Sequence, residues 1–397
     1  MRRPGRRGLG SWIDMTGRVR RVVSIGACAG LLSIVPATGA RALDCRGLVR
    51  VRSPRAGPQA QLLGVAAPSP DVGFAVGVIG FDLGSQSFAE RWDAAARRWA
   101  LVAVPHSTST DALFDVDATS AADAWAVGDA VDNRLRERTL VEHWDGARWG
   151  IVPSPNVRGA VASALLGISA LAPDDAWAVG LSSQTGGQPF APMTMHWNGR
   201  GWKIVPTPPV YGSGQLRAVD AISKDDVWAV GDHGVDRSLT LTFHWDGMQW
   251  SAVSSSNHSA TSNDALLDVS AVTGSDVWAV GSYAEPKDPN VGRQTSALHW
   301  DGSSWMVVET PNPAHHSELR GVSAAGTDDV WAVGVTDVTS TLAEHRTGGA
   351  WVVEPTPRLR GATARLSDVA ALPGGRLWAV GAVLRQTNHG LIERRCG

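Results

Sequence analysis

Cysteine, tyrosine and phenylalanine are scarce in this chain, at three, two and six residues among 397. Too few thiols are present for a disulfide-stapled scaffold, and none sits in a recognisable nucleophile motif. G-x-S-x-G, H-E-x-x-H and the phosphate-binding Gly-rich loop are all missing, which removes the commonest serine-hydrolase, zinc-protease and nucleotide-binding readings. Outside residues 22–35, no stretch approaches the ~20 apolar residues that a membrane span needs. Basic charge is also in short supply. Residues 43–397 hold 28 Lys and Arg against 37 Asp and Glu, a net charge of −9. A surface of that sign repels phosphate backbones, so nucleic acid and anionic lipid are not expected as partners.

What the chain does have is tryptophan (18), glycine (44) and proline (22). That mixture points to many short strands joined by turns, with large rings packed between layers. Residues 1–42 are different in kind. Seven arginines between positions 2 and 21 lead into VVSIGACAGLLSIV (22–35) and then ATGARA (37–42), with Ala40 and Ala42 in a cleavage pattern. This reads as a secretory signal, so the remainder, 43–397, is expected to be secreted, extracytoplasmic and not stably inserted in a membrane. A monomer is expected.

The body of the chain repeats itself. DAWAVGD (123–129), DDAWAVG (174–180), DDVWAVG (225–231), SDVWAVG (275–281) and DDVWAVG (328–334) are near copies, bracketed by DVGFAVG (71–77) and RLWAVG (376–381). Each follows an L-x-x-(V/I)-x-A phrase that begins at Leu62, Leu113, Leu165, Leu216, Leu266, Leu319 or Leu366, at spacings of 51, 52, 51, 50, 53 and 47. A third phrase comes later in the unit, as in LVEHWDGARW (140–149), TMHWNGRGW (194–202), TFHWDGMQW (242–250) and ALHWDGSSW (297–305). An apolar stub ending in proline follows it. Every unit therefore holds four strand-like runs, a to d, with a hairpin turn of Asp-Gly or Asn-Gly expected between c and d. One four-stranded sheet cannot cover both of its apolar faces, but a radial array can.

These spacings predict an all-β, seven-bladed β-propeller over 43–397. The last unit stops after its c strand, GLIERRC (390–396), while residues 47–54, GLVRVRSP, have the composition of a d strand. The N-terminal strand should complete the last blade and close the ring, setting Cys45 beside Cys396 as a disulfide in an oxidising compartment. The DVWAVG and HWDGxxW phrases resemble the repeats of secreted bacterial β-propellers, in a broad group that includes Kelch-like, BNR (sialidase-type) and tectonin-like proteins. That resemblance implies architecture and not activity. The sialidase Asp-box order and the paired glycines of Kelch strands are both missing.

Candidate site residues follow from the architecture. The histidines of the HW phrase (His143, His196, His244, His299) and His345 recur once per blade and should bond within it, to an Asp at the a–b turn. The remaining histidines fall in d–a segments (His106, His258, His315, His316) and b–c segments (His233, His389), as do Tyr211 and Tyr283. Both connections leave the same face of a propeller, and variation gathered on one face marks a binding face. With Glu318, these residues form the expected ligand-binding set for a glycan or protein partner. Asp115, Asp117, Asp220, Asp268 and Asp368 should line the central channel, where Ca²⁺ is the one cofactor that such oxygens would suit. The chemical alternative is a glycan-acting hydrolase or lyase at the channel mouth, using carboxylates such as Asp111, Asp264 and Glu318.

Overall fold

A computed structural model describes residues 47–80, 83–285, 292–337, 339–359, 361–384 and 388–395. Among these there is no helix, and therefore none long and apolar enough to cross a membrane. The chain forms seven four-stranded antiparallel sheets arranged as a ring. Blade 2 is typical, with strands Asp111–Ser120 (a), Asp123–Val131 (b), Glu137–Trp144 (c) and Trp149–Ile151 (d). Blade 7 takes its a, b and c strands from Thr363–Leu372, Arg376–Leu384 and His389–Arg395, and its d strand from Val49–Val51. Val49 lies opposite Arg394 and Val51 opposite Ile392, so the N-terminal strand closes the ring as expected. Cys45, Cys396 and residues 1–46 lie outside the described residues.

The repeated phrase V-W-A-V-G is explained by the two faces of strand b. In blade 4, Val227 and Ala229 pack against Trp177 and Val179 of blade 3. The alternate residues Trp228 and Val230 pack against blade 5. The closing glycine sits opposite a bulge in strand a, between Leu216 and Ala218 in this blade. A Cβ on Gly231 would lie 2.0 Å from the carbonyl oxygen of Gln215, a distance that no side chain tolerates.

The tryptophans form triads between blades. Trp125 of strand b meets Trp197 and Trp202, from strands c and d of the next blade, at centroid distances of 5.0 and 5.5 Å. Trp177 with Trp245 and Trp250, and Trp228 with Trp300 and Trp305, repeat the arrangement. Such tilted and edge-on contacts each add ~0.5–1.5 kcal/mol beyond burial. Blades 6 and 7 replace the c-strand tryptophan with Arg346 and Arg395. Their guanidinium groups lie 4.7 Å and 4.9 Å from the rings of Trp278 and Trp331. The arginines also keep the tryptophan's hydrogen bond. Trp144 Nε1 donates to the Ala121 carbonyl, and Arg346 Nη1 donates likewise to that of Thr327, both at 3.1 Å.

The c–d turn differs from the expected two-residue hairpin. Trp144 and Trp149 are the last paired residues, leaving a four-residue loop. The cause is the Asp145 carboxylate, whose Oδ1 accepts the N–H groups of Ala147 and Arg148 at 2.9 Å and so stabilises a wider turn. Gly146 alone in that loop takes a positive φ, at 94°.

Candidate binding face

The d–a and b–c connections gather at one end of the blades and are knitted together by backbone bonds. Asp111 N–H donates to the Ser85 carbonyl (3.0 Å), Asp264 to Ser238 (3.0 Å) and Ser317 to Arg293 (2.7 Å). Strand c begins at this end, and a side chain of the d–a segment meets its first free N–H. Asn156 Oδ1 accepts from Thr139 N–H at 3.0 Å, Asn257 from Thr240 at 3.0 Å and Asn312 from Thr295 at 2.8 Å.

The loop histidines divide into local pairs. His258 Nδ1 lies 2.8 Å from Asp264, and its ring stacks on Tyr283 at 3.7 Å and 9°. Burial acts to raise the Asp264 carboxyl, but bonds from His258 and the Ser262 hydroxyl outweigh it and hold the group below its ordinary range. Burial, with Glu309, Glu285 and Asp264 nearby, pushes the Tyr283 phenol up. His106 Nδ1 approaches Asp111 at 3.2 Å. His233 Nδ1 bonds the Tyr211 carbonyl at 3.3 Å, and Tyr211 itself is 77% exposed. His316 donates its backbone N–H to Asp337, while the His315 carbonyl accepts from Gln294. Glu318 pairs with Arg320 at 2.8 Å and stands 3.7 Å from Arg293. His389 lies 3.0 Å from Arg50. The expected set is thus distributed over several blades, with two real groupings: Tyr211 with His233, and His258 with Tyr283.

Two cavities flank His233. One, of about 250 Å³, is mostly polar and includes Gln215, Asp232, Asp236 and Arg237. The other, of about 320 Å³, runs past Tyr211 to Thr240 and Asn257. A third, of about 400 Å³, lies at blade 6 between Thr341 and Leu359.

The HW histidines bond within their own blades. His143, His196, His244, His299 and His345 place Nε2 2.6–2.9 Å from Asp123, Asp175, Asp226, Asp276 and Asp329. Each imidazole also packs on the strand-b tryptophan, as His345 does on Trp331 at 4.0 Å.

The channel aspartates link neighbouring blades. Asp115 accepts Val116 N–H on one oxygen and Ile168 N–H of the next blade on the other, at 2.8 and 2.9 Å. Asp117 reaches Ala170, Asp220 reaches Ala271, Asp268 reaches Val322, and Asp368 reaches Val65 across the ring seam, at 2.6–2.8 Å. Burial raises all five carboxyls, to about 7 for Asp220 and Asp368, and repulsion from Asp368 adds to the rise at Asp115 and Asp268. Their oxygens are turned toward backbone N–H groups. No three acidic, His or Cys side chains among the described residues converge as metal ligands.

Four buried glutamates were not anticipated. Glu90, Glu142, Glu344 and Glu393 occupy one strand-c position and are at most 1% exposed. Burial pushes each up to about 8, with repulsion from Asp111 assisting at Glu142. A Ser53 hydroxyl bonds Glu90 at 2.9 Å, whereas both oxygens of Glu142, Glu344 and Glu393 have no hydrogen-bond partner among the described residues, and the charge of Arg50 opposes the rise at Glu393. Blades 3 to 5 carry Met195, Phe243 and Leu298 there. The exchange of Glu for an apolar residue at one register position was visible in AERW, VEHW, AEHR and IERR.

No protein-family model matches the chain, and neither does any curated protein. Solved structures do. YCF48 bound to D1 peptide shares 14% identity over 90% of this chain and 99% of that one, with a TM-score of 0.53. YCF48 from Cyanidioschyzon merolae shares 14% over 88% and 98%, with a TM-score of 0.55. The WD40 β-propeller domain of Doa1 shares 10% over 87% and 97%, with a TM-score of 0.53. These similarities establish the β-propeller fold. They do not single out the Kelch, BNR or tectonin groups.

Proposed function

We propose that the chain is a secreted, non-enzymatic binding protein that presents its d–a and b–c face to a glycan or protein partner. The observation that carries this reading is the surface around Tyr211 and His233. The exposed Tyr211 phenol lines the cavity of about 320 Å³, and His233 is shared between that cavity and the polar one of about 250 Å³. Rings with a polar tip are favoured where one side of a contact is apolar and the other wet. The similar YCF48 structure was solved bound to a peptide, which accords with a polypeptide partner. Burial of such a surface needs no catalytic group. The hydrolase or lyase alternative draws no support from the rim carboxylates, since Asp111, Asp264 and Glu318 are each engaged by neighbouring side chains.

The test is a glycan array together with a pull-down using the full chain, repeated with Tyr211→Ala and His233→Ala. Capture that falls at least tenfold in both variants supports the reading. Capture that is unchanged in both would sink it.

A further inference from the structure

The start of strand c follows a rule that blades 1 to 5 keep and blade 6 breaks; blade 7, closed by the N-terminal segment, carries Gly390 and Arg55 at the two positions. In blades 2, 4 and 5, the N–H of Thr139, Thr240 or Thr295 is capped by Asn156, Asn257 or Asn312. In blade 1 the Asp111 carboxylate caps Ser87 N–H at 2.8 Å. Blade 3 has Pro192 at this position, which has no N–H to cap, and there the asparagine is replaced by Pro209. Blade 6 keeps both threonines of the motif, with the Thr356 hydroxyl donating to the Thr341 carbonyl at 3.2 Å. Yet the residue two places on is Arg358, which has no oxygen to offer. Thr341 is only 8% exposed, and no described side chain caps its N–H. A buried N–H is expected to have an acceptor.

The missing asparagine opens the cavity of about 400 Å³, which Thr341, Arg358, Ser340, Pro357, Leu359 and Ala362 help to line. One wall offers N–H, hydroxyl and guanidinium donors; the other is aliphatic. Arg358 is exposed and makes no ion pair with a described carboxylate.

We infer that this pocket binds a carboxylate of an acidic peptide, whose oxygen takes the place that asparagine fills in blades 2, 4 and 5, while Arg358 supplies the counter-charge. Arginine suits this role because its fork matches a carboxylate in two parallel bonds. The aliphatic wall fits a hydrophobic residue beside the acidic one. No aromatic ring lines the cavity to form the stacking platform that a sugar would use. The inference rests on the binding reading of this face and assigns it a partner chemistry.

The test uses the full chain and a labelled, end-blocked peptide of alternating leucine and glutamate, beside its leucine–glutamine isostere and a tetragalacturonate. The glutamate peptide should bind at least tenfold more tightly than the glutamine one, and more weakly as salt rises. Arg358→Asn should restore the cap, raising the thermal midpoint while weakening peptide binding at least tenfold. Arg158→Ala, on another blade, should leave binding as it is. Equal affinity for the two peptides, undiminished binding by Arg358→Asn, absence of binding at millimolar peptide, or Arg358-dependent binding of the galacturonate alone would each overturn the proposal. The Tyr211 and His233 variants probe blade 4, so either result can fail while the other stands.

Discussion

Arg346 and Arg395 do two jobs that tryptophan does elsewhere, lying against the neighbouring ring and bonding a turn carbonyl. Lysine has the charge but not the flat, forked head. Arg346→Lys should therefore lower the midpoint of thermal unfolding by a few degrees, whereas Arg346→Trp should hold it. The buried glutamates make a second prediction. Their carboxyls titrate near 4.5 in the unfolded chain and at about 8 when folded, so the folded state binds the extra protons between those limits. Stability from this source is full below about pH 4.5 and declines as pH rises toward 8, on the order of a few kcal/mol per carboxyl at most. Denaturant titrations of Glu142→Met should accordingly show a flatter pH dependence and higher stability at pH 8 than the parent. A parent-like slope would mean that the carboxyl is solvated or paired.

At the level of strands and turns, the caps and inter-blade staples set the ranking of effects. Asn156→Ala strands the Thr139 N–H and should cost roughly 1–3 kcal/mol in urea unfolding, while Pro209→Ala, with no N–H to serve, should change little. Asp368→Ala removes the bond to Val65 N–H that ties blade 7 to blade 1, and a loss of similar size is expected. These elements show what the sequence could and could not convey. Strand identity was legible because V-W-A-V-G alternates between two apolar faces, and the stray strand 47–54 was legible because the final unit lacked a d run. The channel was legible only in part. Asp115 and its counterparts could be placed on strand a, but nothing in the text shows that an Asp beside the adjoining blade turns its oxygens to that blade's N–H. The pocket at Arg358 was not legible at all. PSPN, SSSN, ETPN and PTPR look unrelated until the pairing register brings their fourth residues to one spot.

For the whole molecule, closure by Val49–Val51 is the feature with the widest reach. Removing residues 47–54 should leave Ile392 and Trp331 partly uncovered and lower the unfolding midpoint well beyond any single substitution above, as read by calorimetry. Leu48, 5% exposed and packed in the Trp331 cluster just before that strand, is the residue of the segment with most to lose, so Leu48→Ala should reproduce part of the effect, about 2–4 kcal/mol.

That closure also imposes an order of events on synthesis. Val49–Val51 precedes every other strand of the ring yet is docked last, after more than three hundred further residues have emerged, so it must wait without its partner while the rest of the ring is made. Blades 1 to 6 can each assemble from contiguous chain in the meantime. The circle is sealed only when the strand His389–Arg395 arrives, so an intact ring is a physical record that this last strand of the propeller has been made.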